Sequence, residues 1–193
     1  MGCEFIQRLE RRWAEGKLVC VGLDSDFAKL PESLKERHNS PEEALFVFNR
    51  AIIDATADTA CAFKPNSAFY EAEGEQGWRA LKRTADYLKE QYPEIPVILD
   101  AKRADIGNTN EAYARAIFDD LQMDAVTVHP YLGGEALRPF LDRKDKGIFV
   151  LVRTSNPGAE EFQDLKVGES GEPVYQLVAR HVAEKWNENG NCG

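Results

Sequence analysis

Pro96-Val97-Ile98-Leu99-Asp100-Ala101-Lys102-Arg103-Ala104-Asp105-Ile106-Gly107-Asn108-Thr109 is the stretch on which the reading of this chain turns. Three apolar residues follow a proline and then give way to charge. That pattern describes a short buried strand whose carboxyl end opens into a polar loop. Asp100 and Lys102 are two apart, so on a strand both side chains leave the same face. Asp105 follows in the loop. A lysine between two acids at a strand exit fits a site that places negative charge and delivers a proton. Taken alone, D-x-K-x-x-D also reads as an ordinary strand-to-loop turn with a solvated ion pair, so the rest of the chain has to decide.

Outward from this segment the same unit recurs. Apolar runs at 18–23, 60–63, 125–128 and 147–152 end in Asp24, Lys64, His129 and Arg153-Thr154-Ser155. Between them lie helical spacings: 3–15 (Phe5, Ile6, Leu9, Trp13), 41 to about 56, 74–91 (Trp78, Leu81, Ala85, Leu88), about 109–121, 134–141 and 173–187. Ser40-Pro41-Glu42-Glu43 is a helix start, with a serine cap, proline in the first turn and acids behind it. The strands are continuous apolar runs rather than alternating ones. Their spacing leaves room for a crossover helix between each pair, which predicts parallel strands covered by helices. In such α/β folds the carboxyl ends of the strands carry the chemistry, and a barrel gathers them on one rim. The polar strand endings Asp24, Lys64, Asp100 with Lys102, His129 and Ser155 are therefore the candidate site. No repeat or linker interrupts the pattern, so residues 1–193 read as one domain.

Composition narrows the partners. The 193 residues are 43% hydrophobic and carry a net charge of -9. That acidity repels nucleic acid and anionic membrane, but leaves a small anionic ligand open to local charge. No run of 18 apolar residues predicts a membrane span, and the first residues lack the apolar core of a signal peptide. The default compartment is the cytoplasm. Cys20 and Cys61 lie in strand-like runs and read as small core residues. Neither the four cysteines nor His38, His129 and His181 are spaced as metal ligands.

Five segments, in order and at strand ends, resemble the bacterial branch of the orotidine 5′-phosphate decarboxylase family. They are Val21-Gly22-Leu23-Asp24, Phe63-Lys64-Pro65-Asn66, Asp100 through Thr109, Val128-His129-Pro130-Tyr131-Leu132-Gly133 and Arg153-Thr154-Ser155-Asn156-Pro157-Gly158. The resemblance implies a (β/α)8 TIM-type barrel, a homodimer with shared active sites, and neither cofactor nor metal. Its implied reaction is decarboxylation of orotidine 5′-phosphate to UMP in pyrimidine biosynthesis. Lys102 would donate the proton to C6, and Asp100 would face the orotate carboxylate. Asp24 and Lys64 would hold ribose hydroxyls and extend the charged chain. Asp105 and Thr109 would reach the neighbouring subunit's site, and Ser155 would bond the pyrimidine. Outside the resemblance, Ser155 also reads as a turn residue, Arg153 as structural, and His129 as a pocket wall without chemistry.

The count of strand–helix units falls short of such a barrel. Five are legible where eight close a barrel, with 189–193 resembling the turn into a sixth. The expectation is a C-terminally truncated barrel without the region from which the family's phosphate-gripping glutamine and arginine come. Three rival readings stand beside the main one. A magnesium-dependent sugar-phosphate lyase of the same superfamily would use D-x-K-x-x-D for metal and enediolate. A Schiff-base aldolase would use Lys102. A catalytically silent fragment would do neither.

Overall fold

The structure, a computed structural model, describes residues 2–38 and 40–193. Five strands build its frame: β1 (Val19–Gly22), β2 (Ala60–Lys64), β3 (Ile98–Arg103), β4 (Ala125–Val128) and β5 (Gly147–Val150). β1 pairs with β2, β3 with β4 and β4 with β5, all parallel. Parallel bridges Phe63–Val97 and Asn66–Asp100 join β2 to β3, so spatial order follows chain order. A further parallel bridge, Ile148–Cys192, places 191–193 beside β5 at the position of a next strand. The strands form an open arc of a (β/α)8-type barrel. Near-continuous apolar strands with helical crossovers predict this arrangement, and the chain adopts it.

The helices match the spacing closely. α1 (Glu4–Ala14) precedes β1, and a short α2 (Glu32–Arg37) follows it. α3 (Pro41–Thr56) begins where Ser40 accepts a hydrogen bond from the Glu43 amide, as the local sequence predicts. α4 (Ser67–Glu71) is capped by Asn66, and α5 (Gly74–Gln91) fills the predicted span. The helix expected at about 109–121 starts earlier, as α6 (Gly107–Ala114), and then widens through Arg115–Asp120. There the Leu121 amide reaches back five residues to the Ala116 carbonyl. α7 (Gly133–Leu141) and α8 (Val174–His181) complete the set, the latter widening similarly through Val182–Trp186. The loop expected near 158–172 contains a 3-10 turn and a small antiparallel pair, β6 (Lys166–Val167) with β7 (Glu172–Pro173).

Alternation along the strands divides the core in two. Phe63, Leu99, Val126, Val128 and Ile148 face the helices and build the larger cluster. Ile98, Ala125 and Phe149 face the barrel interior, where α1 contributes Phe5 and Leu9. α1 thus closes the barrel's amino-terminal end. Buried Arg12 ties it there by donating to the Ala57 and Ala60 carbonyls, at 2.6 and 2.9 Å. Arg8 adds an ion pair with Asp124 at 2.6 Å, and Asp124 in turn accepts the Val97 amide at 2.8 Å. Cys61 is buried as expected, but Cys20 is exposed. β1 has a strand on one side only, and its inward face borders open space rather than packed core.

Candidate active site

The structure places a bulge where the chemistry is expected. β3 and β4 run in register at Ile98–Ala125 and Leu99–Val126, then resume at Arg103–Val128. Residues 100–102 therefore bulge opposite the single residue Thr127, and a bulge of this kind re-aims side chains. Lys102 sits at φ 48°, a left-handed conformation that L-residues adopt at a cost of about 1–2 kcal/mol. Its amide leaves the ladder and donates instead to the Thr127 hydroxyl at 3.0 Å. That hydroxyl donates to Asp100 Oδ1 at 2.9 Å.

Asp100 is the centre of the cluster. Its Oδ1 accepts the Lys102 ammonium at 2.6 Å, and its Oδ2 accepts the Lys64 ammonium at 2.9 Å. The D-x-K-x-x-D spacing led to a lysine between two acids; within this chain the order is inverted, with one carboxylate between two lysines. Burial pushes the Asp100 carboxyl up, but hydrogen bonds from Lys102, Lys64 and Thr127 outweigh it and hold its pKa below the ordinary 3.8. For Lys64, burial pulls the pKa down, and the Asp100 hydrogen bond and charge, with Asp24 adding to them, raise it above 10.5. Asp100 and Lys64 are thus charged at neutral pH.

The other predicted residues lie around this centre at different depths. Asp24 is solvent-facing at the exit of β1; its charge reaches Lys64, but no ion pair within 4.0 Å joins them. Asp105 forms no ion pair with Lys102 within 4.0 Å. Its amide and carbonyl are both gripped by the Asn110 side chain, at 2.8 and 2.6 Å, and its carboxylate accepts the Ile106 amide at 2.7 Å. Thr109, half-buried, lies in the first turn of α6, its amide donating at 3.2 Å to the carbonyl of Ile106, which is 63% exposed. Ser155 is exposed in the loop beyond β5. Arg153 is bound to Asp164 by two 2.8 Å contacts, in keeping with a structural part. The His129 amide donates to the Arg103 carbonyl at 3.1 Å, and the residue borders a separate cleft with Phe162 and Val178.

Thr127 is the member that sequence reading missed. It is the one polar residue in Ala125-Val126-Thr127-Val128 and shares a face with Ala125 and the inward row. A polar residue on the inward face of an otherwise apolar strand was the available signal. Lys64 and Thr127 also form the polar end of a cavity of about 390 Å³ inside the arc, whose walls are Leu9, Trp13, Ile98 and Phe149.

Parallel strands in an open barrel arc, with charged residues gathered at their carboxyl ends, define a catalytic domain of the (β/α)-barrel class. The comparisons give the family. The model described as the orotidine 5′-phosphate decarboxylase / HUMPS family matches residues 17–193, and the chain belongs to that family. The orotidine 5′-phosphate decarboxylase of Thermomicrobium roseum is 53% identical over 191 residues, covering 98% of this chain and 65% of the relative. That of a Janthinobacterium species is 49% identical over 189 residues, covering 97% and 67%. Among solved structures, the Leishmania donovani OMP decarboxylase superposes with a TM-score of 0.86 at 38% identity, covering 98% of this chain and 69% of that one. The chain thus spans about two thirds of the length of the curated relatives it matches.

Proposed function

We propose that this chain carries the reacting centre of an orotidine 5′-phosphate decarboxylase, converting orotidine 5′-phosphate to UMP. The observation that carries this reading is the pair of ammonium groups on the two oxygens of one Asp100 carboxylate. Loss of CO2 from C6 of a pyrimidine leaves an electron pair with no conjugated sink. The site must therefore stabilise that charge electrostatically and protonate it at once. The C6–carboxylate bond breaks, the pair stays on C6, and the Lys102 ammonium gives its proton to C6. The lysine amine then recovers a proton from water. Asp100, held ionised by its partners, lies unfavourably close to the substrate carboxylate until CO2 departs. Its 2.6 Å contact also engages the Lys102 nitrogen, which disfavours a Schiff-base role.

In this reading Lys64 and Asp24 hold ribose hydroxyls, and Ser155 bonds the pyrimidine. Asp105 and Thr109 serve the site of a second copy in a homodimer. Their support is that Asp105 forms no ion pair with its own Lys102 and lies beside an exposed apolar Ile106. The enzyme works without cofactor or metal, in the cytoplasm. The test is release of CO2 from orotidine 5′-phosphate by the 193-residue chain and by its Lys102→Ala variant, with and without EDTA. Turnover that EDTA leaves unchanged and Lys102→Ala abolishes supports the reading. Turnover lost to EDTA and restored by magnesium favours the metal-dependent lyase chemistry, and a wild-type chain that releases no CO2 overturns the activity for this chain.

A further inference from the structure

Four polar side chains lie in the apolar layer behind β1 and β2, away from the reacting centre. Asn49 on α3 and Tyr70 on α4 are 0% exposed, Thr84 on α5 is 1% exposed, and Ser25 in the loop after β1 is 5% exposed. Asn49 Nδ2 donates to the Tyr70 and Thr84 hydroxyls, both at 3.0 Å, and its Oδ1 accepts the Ser25 hydroxyl at 2.6 Å. Thr84 donates to the Ala80 carbonyl and Tyr70 to the Leu23 carbonyl, each at 2.7 Å. Every member is paired, as a buried polar network must be to avoid a large desolvation cost.

The network converges on the two residues that flank Asp24. Tyr70 holds the Leu23 carbonyl on one side, and Asn49 holds the Ser25 hydroxyl on the other. The Leu23 amide is tied to the Lys64 carbonyl at 3.1 Å. Three fixed points therefore surround one solvent-facing carboxylate and set its place relative to Lys64. Apolar side chains of similar volume would pack α3, α4 and α5 together without this hydrogen-bonding geometry, so packing alone does not account for it.

We propose that Asn49 and Tyr70 are positioning residues that hold the Leu23–Ser25 segment so that the solvent-facing Asp24 carboxylate stays within electrostatic reach of the Lys64 ammonium, and thereby set affinity for the hydroxyl-bearing sugar of a nucleotide. The sugar part of this inference rests on the reading of Asp24 given above; the positioning part does not.

A double-mutant cycle of Tyr70→Phe and Asp24→Asn tests both parts. The first readout is the Lys64 titration, followed by NMR of its side chain in the ligand-free chain. Asp24→Asn lowers the Lys64 pKa in the wild-type background, and the drop shrinks by at least half when Tyr70 is phenylalanine. An equal drop in both backgrounds overturns the positioning role. The second readout is the Kd for UMP. Tyr70→Phe weakens binding about tenfold, and adding Asp24→Asn to it costs little more. Losses that simply multiply overturn the link to the sugar. Should the wild-type chain bind no UMP, the functional reading falls and the Lys64 titration alone decides the positioning claim. If Tyr70→Phe does not fold, Ser25→Ala takes its place in both cycles with the same outcomes.

Discussion

Replacing Thr127 by valine removes one hydroxyl at nearly constant shape, and the structure sets what is lost. The hydroxyl donates to the charged Asp100 at 2.9 Å and accepts the Lys102 amide at 3.0 Å. Hydrogen bonds to charged groups contribute about 1.5–3 kcal/mol and neutral ones about 0.5–1.5 kcal/mol. Asp100 keeps its 2.6 Å contact with Lys102, and the exposed Lys102 amide is free to turn to water, so much of that sum is recovered. The expected net loss is about 1–2 kcal/mol. A second effect follows from backbone strain. Without its acceptor, Lys102 is less firmly held at φ 48°, and the Asp100 carboxylate loses one of the three hydrogen bonds that hold its pKa down. Urea denaturation of the wild-type, Thr127→Val and Thr127→Ser chains measures the first effect, and NMR titration of Asp100 the second. Serine keeps the hydroxyl, so Thr127→Ser retains a depressed Asp100 pKa while Thr127→Val raises it. Equal stabilities for the two variants with an unchanged Asp100 titration would refute the reasoning.

Three further outcomes follow from the same structure. If the proposed function holds, Lys102→Ala removes the proton donor while leaving Lys64 on Asp100, so turnover of orotidine 5′-phosphate falls by orders of magnitude with only a modest change in UMP affinity; parallel losses of both would count against a proton-donor role. The Asp100 and Lys64 shifts give the cluster a stability plateau. Asp100 contributes fully above its unfolded pKa and loses that contribution as pH falls through its depressed folded value; Lys64 contributes fully below its unfolded pKa and loses it as pH rises through its raised folded value. The stability difference between wild type and an Asp100→Asn variant is then flat from about pH 5 to about pH 9 and declines outside it, which chemical denaturation across pH will check. Gly77→Ala would put a Cβ 1.9 Å from the Tyr70 carbonyl oxygen. The resulting displacement costs about 3 kcal/mol and lowers Tm by roughly 6–12 °C; a Tm within 2 °C of wild type, about the effect of half a kcal/mol, would contradict that contact.

Local signals carried most of the fold. Ser40-Pro41 marks the start of α3 because capping chemistry is written in adjacent residues, and 74–91 keeps an apolar stripe throughout α5. α4 went unseen because five residues after Asn66 are too few for a period to show. The wide turns at Arg115–Asp120 and Val182–Trp186 are slips in hydrogen-bond register, to which side-chain periodicity is blind. Cys20 was misplaced because an apolar run looks the same on an edge strand as in mid-sheet. At the site, Asp100, Lys102 and Lys64 were legible from strand endings, since parallel topology brings such ends together. Thr127 reads as an ordinary strand former, and Asn49, Tyr70 and Thr84 meet Ser25 only through helices far apart in sequence. The bulge at 100–102, which sets the direction of Lys102, depends on register against β4 and has no local signature.

The account stands on one carboxylate shared by two ammonium groups, and the titration of Asp100 tests it most directly. NMR of the wild-type chain should place its pKa below 3.8, with Lys64→Ala and Lys102→Ala each raising it. An Asp100 that titrates at 3.8 or above in the wild type, indifferent to both substitutions, would contradict the cluster and the chemistry built on it.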